Sequence, residues 1–146
     1  MIKYIFVIIF LCDMFSVYAQ NEKIIEYPHR KVSVNCKPKE QCVIIRSRDE
    51  FYEFCDDGGR SKINFFREVL LSISVLVEFS AVKDVRYQVT QDQQTKCINF
   101  NVDFNGTPGR KGGQGVRLWI AIQKPIGNYE VKFFSNGNFC HHIMVN

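Results

Sequence analysis

The sequence lacks the short motifs that mark most catalytic and cofactor sites. No serine occupies a G-x-S-x-G elbow, no two cysteines have C-x-x-C spacing, and histidine occurs only 3 times in 146 residues. The first absence argues against a common serine-hydrolase site, and the second argues against the standard zinc sites. Without a matched nucleophile and base, we expect a non-catalytic protein that needs no cofactor.

The sequence also has little excess charge of one sign. The formal net charge is +4, and the basic residues are spread over the chain in small groups. A nucleic-acid-binding face would need a stripe of basic residues with interleaved aromatic side chains. The charge pattern therefore predicts an ordinary solvated surface and no nucleic-acid partner.

The first pattern that the sequence does contain is that of an export signal. Lys3 precedes an almost unbroken apolar run over residues 4–12, and Val17 and Ala19 occupy the −3 and −1 positions of a signal-peptidase site. The run is shorter than the roughly 20 residues that a transmembrane helix needs. We expect a secreted or periplasmic protein with no transmembrane segment after cleavage. The alternatives are a buried N-terminal strand or helix, and lipidation at Cys12.

The remaining chain has the length of one domain with one core. We predict a signal peptide at residues 1–19, a polar leader at 20–41 and a single globular domain at 42–146. The domain is predicted to be of the α+β class and mainly β, with one antiparallel sheet of about seven strands and a short N-terminal capped helix.

The predicted helix has the clearest local signals. Ser47 and Glu50 have the spacing of a capping box, and Phe51 and Phe54 lie on one face of the turn that follows. Glycines at 58 and 59 are expected to end the helix in a left-handed cap.

The strands are predicted mainly from alternation of apolar and polar residues. Residues 98–104 and 116–122 alternate most regularly, and residues 68–79 form an apolar, β-branched run typical of a buried central strand. The connector at 63–66 is expected to pack its aromatic side chains inward. Weaker patterns predict further strands, at residues 31–35, 42–46, 85–90, 129–133 and 139–145.

Five cysteines remain after removal of the signal, and all are disulfide candidates: Cys36, Cys42, Cys55, Cys97 and Cys140. In an oxidising compartment this number indicates two disulfides and one free thiol, with the pairing left open. A local bridge between Cys36 and Cys42 is the first prediction, and Cys97 with Cys140 would join two strands. A metal site at residues 140–142 is the alternative, although adjacent strand residues point to opposite faces.

A glycine-rich loop at residues 105–115 and the single tryptophan are the predicted partner-binding site. The loop contains Arg110, Lys111, Gly112 and Gly113. A phosphate-binding loop would place its lysine beside Ser or Thr at a helix start, whereas here a strand follows, so a mobile hairpin loop is the preferred interpretation. Trp119 stands opposite the inward residues of its strand and is expected to be half exposed. The alternative is a second buried face of a central strand.

Three segments of the chain also carry a resemblance. VIIRSRDEFYEF, KINFFREVLLSISV and LWIAIQKPIGNYEVKF follow one another within about residues 42–134. In this order they resemble small exported PrcB-like domains, a family named for an accessory subunit of a bacterial protease complex. Asn64 stands where Asp is commoner in that family. The resemblance implies a role in binding or stabilising a partner protein, such as a protease, at the cell envelope.

The leading hypothesis is a non-catalytic secreted or periplasmic module that binds a protein partner at the envelope or outside the cell. The second hypothesis is a small-ligand or glycan binder that uses Trp119 and the glycine-rich loop. The third is an unrecognised small enzyme with its site near His141 or His142.

Overall fold

The protein is described here by a computed structural model that covers residues 24–56, 62–77, 79–108 and 114–146. In these ranges, nine strands form two sheets, and one helix, α1 (Arg48–Phe54), follows the third strand. The strands are β1 (Ile24–Glu26), β2 (His29–Lys31), β3 (Cys42–Ile45), β4 (Glu68–Val77), β5 (Phe79–Asp92), β6 (Cys97–Pro108), β7 (Gln114–Gln123), β8 (Tyr129–Ser135) and β9 (Asn138–Val145).

The mainly-β α+β class is confirmed, but the prediction of one seven-stranded sheet was wrong. A five-stranded sheet has the order β1-β5-β6-β8-β9, and a four-stranded sheet has the order β2-β7-β4-β3. The pair β6–β8 is parallel, and the other neighbouring pairs are antiparallel. Each sheet has an apolar inner face, and two such faces leave water by packing on each other.

The core between the sheets consists of the alternating apolar residues predicted from the sequence. Strands β6 and β8 supply one side of it, and β4 and β7 supply the other. Its fully buried members include Ile98, Phe100, Val102, Val131, Phe133, Val69, Leu71, Ile73, Ile120 and Ile122. The period of two in β6, β7 and β8 therefore identified their inward faces correctly, whereas β4 was predicted from a continuous apolar run.

The outer face of the four-stranded sheet is buried as well, beneath α1 and the segment that follows β2. Leu70, Trp119 and Ala121 lie on this face and pack with Phe51 of the helix. This second layer explains why Val69, Leu70 and Leu71 are apolar at three successive positions. A strand covered on both faces has a continuous apolar run instead of an alternating one.

The helix begins as predicted and ends differently. The Oγ of Ser47 accepts a hydrogen bond from the Glu50 amide at 3.2 Å, and Glu50 Oε2 accepts one from the Arg46 amide at 2.7 Å. The helix ends at Phe54 because Cys55 is extended and forms a β-bridge with Cys36. The glycines predicted as its cap, residues 58 and 59, lie outside the described residues.

The stretch predicted as a polar leader, residues 20–41, contains two short edge strands. β1 pairs with β5 and β2 pairs with β7, so the chain crosses from one sheet to the other at Tyr27 and Pro28. The Tyr27 amide donates to Val89 O at 2.8 Å, and Pro28 O accepts from the Gln123 amide at 3.1 Å. The edge strand expected at 31–35 therefore lies earlier, at His29–Lys31.

One disulfide is present among the described cysteines, and it joins Cys36 to Cys55. The predicted pairing Cys36–Cys42 was wrong, and Cys42, Cys97 and Cys140 carry free thiols in this structure. Cys36 and Cys55 belong to the outer layer, whereas Cys42 faces the core between the sheets, so a bridge from Cys36 to Cys42 would have to pass through the four-stranded sheet. The disulfide is compatible with an oxidising environment. No helix in the described ranges is long and apolar enough to span a bilayer.

Candidate functional site

One end of the sandwich displays two large apolar side chains at the tips of adjacent turns. Phe66 lies in the connector before β4 and is 95% exposed, and Ile126 lies between β7 and β8 and is 92% exposed. They flank an open depression of about 880 Å³. We call this region the loop-end surface, defined by Pro28, Arg30, Phe66, Arg67, Lys124, Pro125 and Ile126.

Hydrogen bonds fix the turn that carries Phe66. The side-chain oxygen of Asn64 accepts from the Phe66 amide at 3.1 Å, which is an Asx-type turn. The carbonyl of Asn64 accepts from the amides of Arg67 at 2.9 Å and Glu68 at 2.8 Å. The Lys124 amide then donates to Arg67 O at 2.7 Å, which ties the second turn to the first. Phe66 is therefore exposed on an ordered backbone.

A bidentate ion pair between Arg30 and Glu68 lies beside this turn and lines the depression. Arg30 donates from Nε to Glu68 Oε1 at 2.8 Å and from a terminal nitrogen to Oε2 at 2.9 Å. The same carboxylate accepts from the Asn64 amide at 3.0 Å, and Arg30 also donates to Lys62 O at 3.1 Å. These bonds from Arg30, and then the one from Asn64, hold the pKa of Glu68 below its usual value. The carboxylate therefore stays ionised and anchors the connector.

The charge of the loop-end surface is positive. Arg67 and Lys124 are exposed, and neither forms an ion pair with another described residue. Glu68 is the single carboxylate among the described residues that line the depression, and Arg30 already occupies it. A second depression of about 570 Å³ shares Ile126 with the first and adds Lys96. The surface thus combines apolar tips with unpaired cations.

Of the residues predicted to bind a partner, only Trp119 lies in the described part of the chain. Trp119 is only 5% exposed and lies in the outer layer, with the Arg117 guanidinium 5.8 Å from its ring centroid. The expectation of a half-exposed ring was wrong, because α1 and the segment after β2 cover this face of β7. The other four predicted residues, Arg110, Lys111, Gly112 and Gly113, lie outside the described residues.

Sequence reasoning missed the loop-end surface because it placed Phe66 inside. Ile63 is buried and Phe65 packs against the outer layer as expected, whereas Phe66 points to solvent. A signal for Ile126 was available, since it stands between Pro125 and Gly127. Gly127 adopts a φ of 76°, a conformation that favours glycine and marks a tight turn.

The histidines near the C-terminus lie on β9, an edge strand. His142 Nδ1 lies 2.9 Å from Glu130 Oε1, and Lys132 Nζ lies 3.5 Å from Oε2. Hydrogen bonding to His142 lowers the pKa of Glu130, while burial raises the pKa of the nearby Cys97 thiol. A protonated, buried thiol is a weak nucleophile. The arrangement is therefore an ion-pair cluster on a sheet, and no group of three or more described His, Cys, Asp or Glu residues is placed to hold a metal ion.

Comparison of the chain with protein-family models, with curated proteins and with solved structures found no match.

Proposed function

We propose that this protein is a non-catalytic, exported module that binds a protein partner through the loop-end surface. The observation that carries the proposal is the display of Phe66 and Ile126, both more than nine-tenths exposed, on turns that hydrogen bonds hold in place. When a partner covers a large apolar side chain that was exposed to water, the free energy falls by about 1.5–3 kcal/mol for complete burial. Exposed apolar residues grouped in this way typically mark an interface.

The partner that fits this surface carries an apolar side chain flanked by carboxylates. The apolar group would enter the depression between Phe66 and Ile126, and the carboxylates would pair with Arg67 and Lys124. Since these two cations have no acidic partner in the described part of the chain, they attract such a segment without first breaking an internal ion pair. The glycan hypothesis has less support, because the buried Trp119 ring offers no stacking face.

The resemblance to PrcB-like domains supports a protease as the partner class. Of the three segments that carry it, the second contains Phe66 and the third contains Ile126. Export, cleavage after Ala19 and location at the envelope or outside the cell complete the proposal. The disulfide between Cys36 and Cys55 supports an oxidising compartment.

Site-directed photo-crosslinking in the producing cells tests this proposal. A photoreactive residue at position 66 or 126 should capture one protein, which mass spectrometry identifies, and position 52 on α1 provides the control site. Affinity for the purified partner is then measured by calorimetry. Phe66→Ala with Ile126→Ala should weaken binding at least tenfold, and Arg67→Ala with Lys124→Ala should reduce the association rate and its dependence on salt.

Matched controls come from β9, which also carries two exposed apolar residues. Phe139 and Met144 are each 58% exposed, so Phe139→Ala with Met144→Ala removes comparable apolar surface at another place. This variant should bind the partner within about twofold of the wild type. Loss of binding in the β9 variant, with binding retained in the loop-end variant, would place the interface on β9 and refute our assignment.

A further inference from the structure

The connectivity of the two sheets brings two of their edges together. β1 and β2 are edge strands of different sheets, and only Tyr27 and Pro28 separate them in the chain. These two edges therefore lie on one side of the sandwich, and the opposite edges, β3 and β9, lie on the other side. An electrostatic contact agrees with this placement. Burial raises the pKa of Tyr129 to about 12, and the guanidinium of Arg46, just after β3, offsets part of that rise.

Cys42 and Cys140 both lie at this β3–β9 edge and on the side of the core between the sheets. Cys42 begins β3 and is part of the core between the sheets, and Cys140 of β9 packs against the same core. Tyr129 is paired with Val145 near the end of β9, so Arg46 and Val145 mark one end of the two edge strands. From this end, β3 leads back towards lower residue numbers to Cys42, and β9 leads back to Cys140. The two cysteines therefore lie at about the same distance from it along the edge.

A β-bulge turns Cys140 towards the core. In the pairing of β8 with β9, Phe133 is opposite His141 and Phe134 is opposite Phe139, so Cys140 has no partner and is the additional residue of the bulge. A bulge changes the direction of a side chain relative to regular pairing. Without the bulge, the regular alternation of side chains along β9 would point Cys140 away from the core. The sequence pattern alone does not indicate this inward direction.

We propose that Cys42 and Cys140 form a second disulfide, which closes the β3–β9 edge of the sandwich and leaves Cys97 as the free thiol. The inference relies on the oxidising compartment of the proposed function. Each thiol loses one proton, a bond forms between the two Sγ atoms, and the two electrons reduce the disulfide of oxidised glutathione or of a thiol oxidase to two thiols. Cys140 is only partly buried and reacts first, forming a mixed disulfide that Cys42 then resolves.

The burial of Cys42 predicts when the bond forms. Burial, and then the neighbouring Cys140 thiol, raise the pKa of its thiol to about 12, and the guanidinium of Arg117 offsets part of that rise. Because the thiolate is the attacking species, the second step is slow once the core has closed. Oxidation should therefore be fast during refolding and at least tenfold slower when glutathione disulfide is added to the folded, reduced protein.

Peptide mapping of the purified chain without reduction is the decisive experiment. The protein is reduced, refolded with oxidised and reduced glutathione, alkylated in denaturant and digested. We expect a peptide that links Cys42 to Cys140, one alkylated site at Cys97, and a melting temperature roughly 10–15 °C above that of the protein with only the Cys36–Cys55 bond.

Three variants keep the result interpretable. Cys97→Ser should retain the linked peptide, whereas Cys42→Ser and Cys140→Ser should each leave the other cysteine open to alkylation. Cys140 is partly exposed, so its variant keeps the test valid if Cys42→Ser does not fold. Alkylation of both Cys42 and Cys140 in the refolded wild type, or a link from either one to Cys97, would overturn the proposal. Because this oxidation uses purified protein, its outcome is independent of the export and partner experiments.

Discussion

Replacing Cys36 and Cys55 together by alanine removes the covalent bond that joins the two segments of the outer layer, the segment after β2 and the end of α1. The bond joins the segment after β2 to the residue that ends α1, so β3 and the helix lie inside the closed loop. The layer is also anchored by hydrogen bonds, such as that from the Val32 amide to Trp119 O at 3.1 Å, and by the packing of Phe51 and Trp119. Stability measurements on this double variant therefore test whether the layer depends on its crosslink.

The expected cost follows from the length of the loop. The two cysteines are separated by 19 positions, and closing a loop of this size lowers the entropy of the unfolded chain by the equivalent of about 3 kcal/mol. For a domain of this size, such a loss corresponds to a fall of roughly 10 °C in melting temperature. The core between the sheets makes no contact with the bond, so the sandwich should stay folded at 25 °C.

Urea unfolding with two probes measures this effect. Far-UV circular dichroism follows both sheets, whereas fluorescence follows Trp119, the only tryptophan, which is buried in the outer layer. In the double variant we expect the fluorescence transition at lower urea than the dichroism transition, since the layer opens before the sandwich. The reduced wild-type protein should behave like the double variant with its remaining thiols reduced, because neither then contains a disulfide, and Cys97→Ala serves as the control. A free energy of unfolding within about 1 kcal/mol of the oxidised wild type would refute the reasoning.

Two further predictions concern single side chains. Trp119→Ala should lower the free energy of unfolding by about 3–5 kcal/mol, because it leaves a cavity in the outer layer, whereas Trp119→Phe should cost about half as much. Chemical denaturation measures both costs. A cost below about 1 kcal/mol for the alanine variant would contradict the burial of this ring. The ion pair with Arg30 lowers the pKa of Glu68 from 4.5, so its contribution is complete above the unfolded value and is lost as the pH falls through the folded one. Glu68→Gln should therefore cost about 1 kcal/mol at pH 7 and little at about pH 3; melting temperatures at the two pH values check this, and an equal difference at both would contradict it.

The parts of the fold that could be predicted from the sequence are those that depend on local pattern. Strands β6 and β7 were identified because apolar side chains every second residue imply one buried face, and the core confirms this for Phe100 and Ile120. The start of α1 was predictable for a similar reason. A serine three residues before a glutamate satisfies the free amides of a helix start within one turn of chain.

The parts that could not be predicted depend on contacts distant in sequence. The division into two sheets depends on where the chain crosses between them, which it does at Tyr27 and Pro28 and again after β4, β6 and β7, and the periodicity of a strand does not show to which sheet it belongs. Disulfide pairing depends on which layer each cysteine occupies, and spacing does not encode the layer. Phe66 and Phe65 are neighbours of one residue type, yet the turn set by Asn64 directs only Phe66 to solvent.

The burial of both faces of the four-stranded sheet restricts where a partner can bind. Its inner face packs on the other sheet, and its outer face is covered by α1, so neither remains available. The outer face of the five-stranded sheet carries polar and charged residues such as Arg86, Asn99 and Lys132. A partner that needs apolar contact is therefore directed to the ends of the sandwich, or to the exposed apolar residues of β1, α1 and β9. Of these places, the loop-end surface carries the two most exposed large apolar side chains among the described residues. It also carries cations that have no ion-pair partner in the described chain. On β9, by contrast, Phe139 already packs its ring 5.8 Å from that of Phe134.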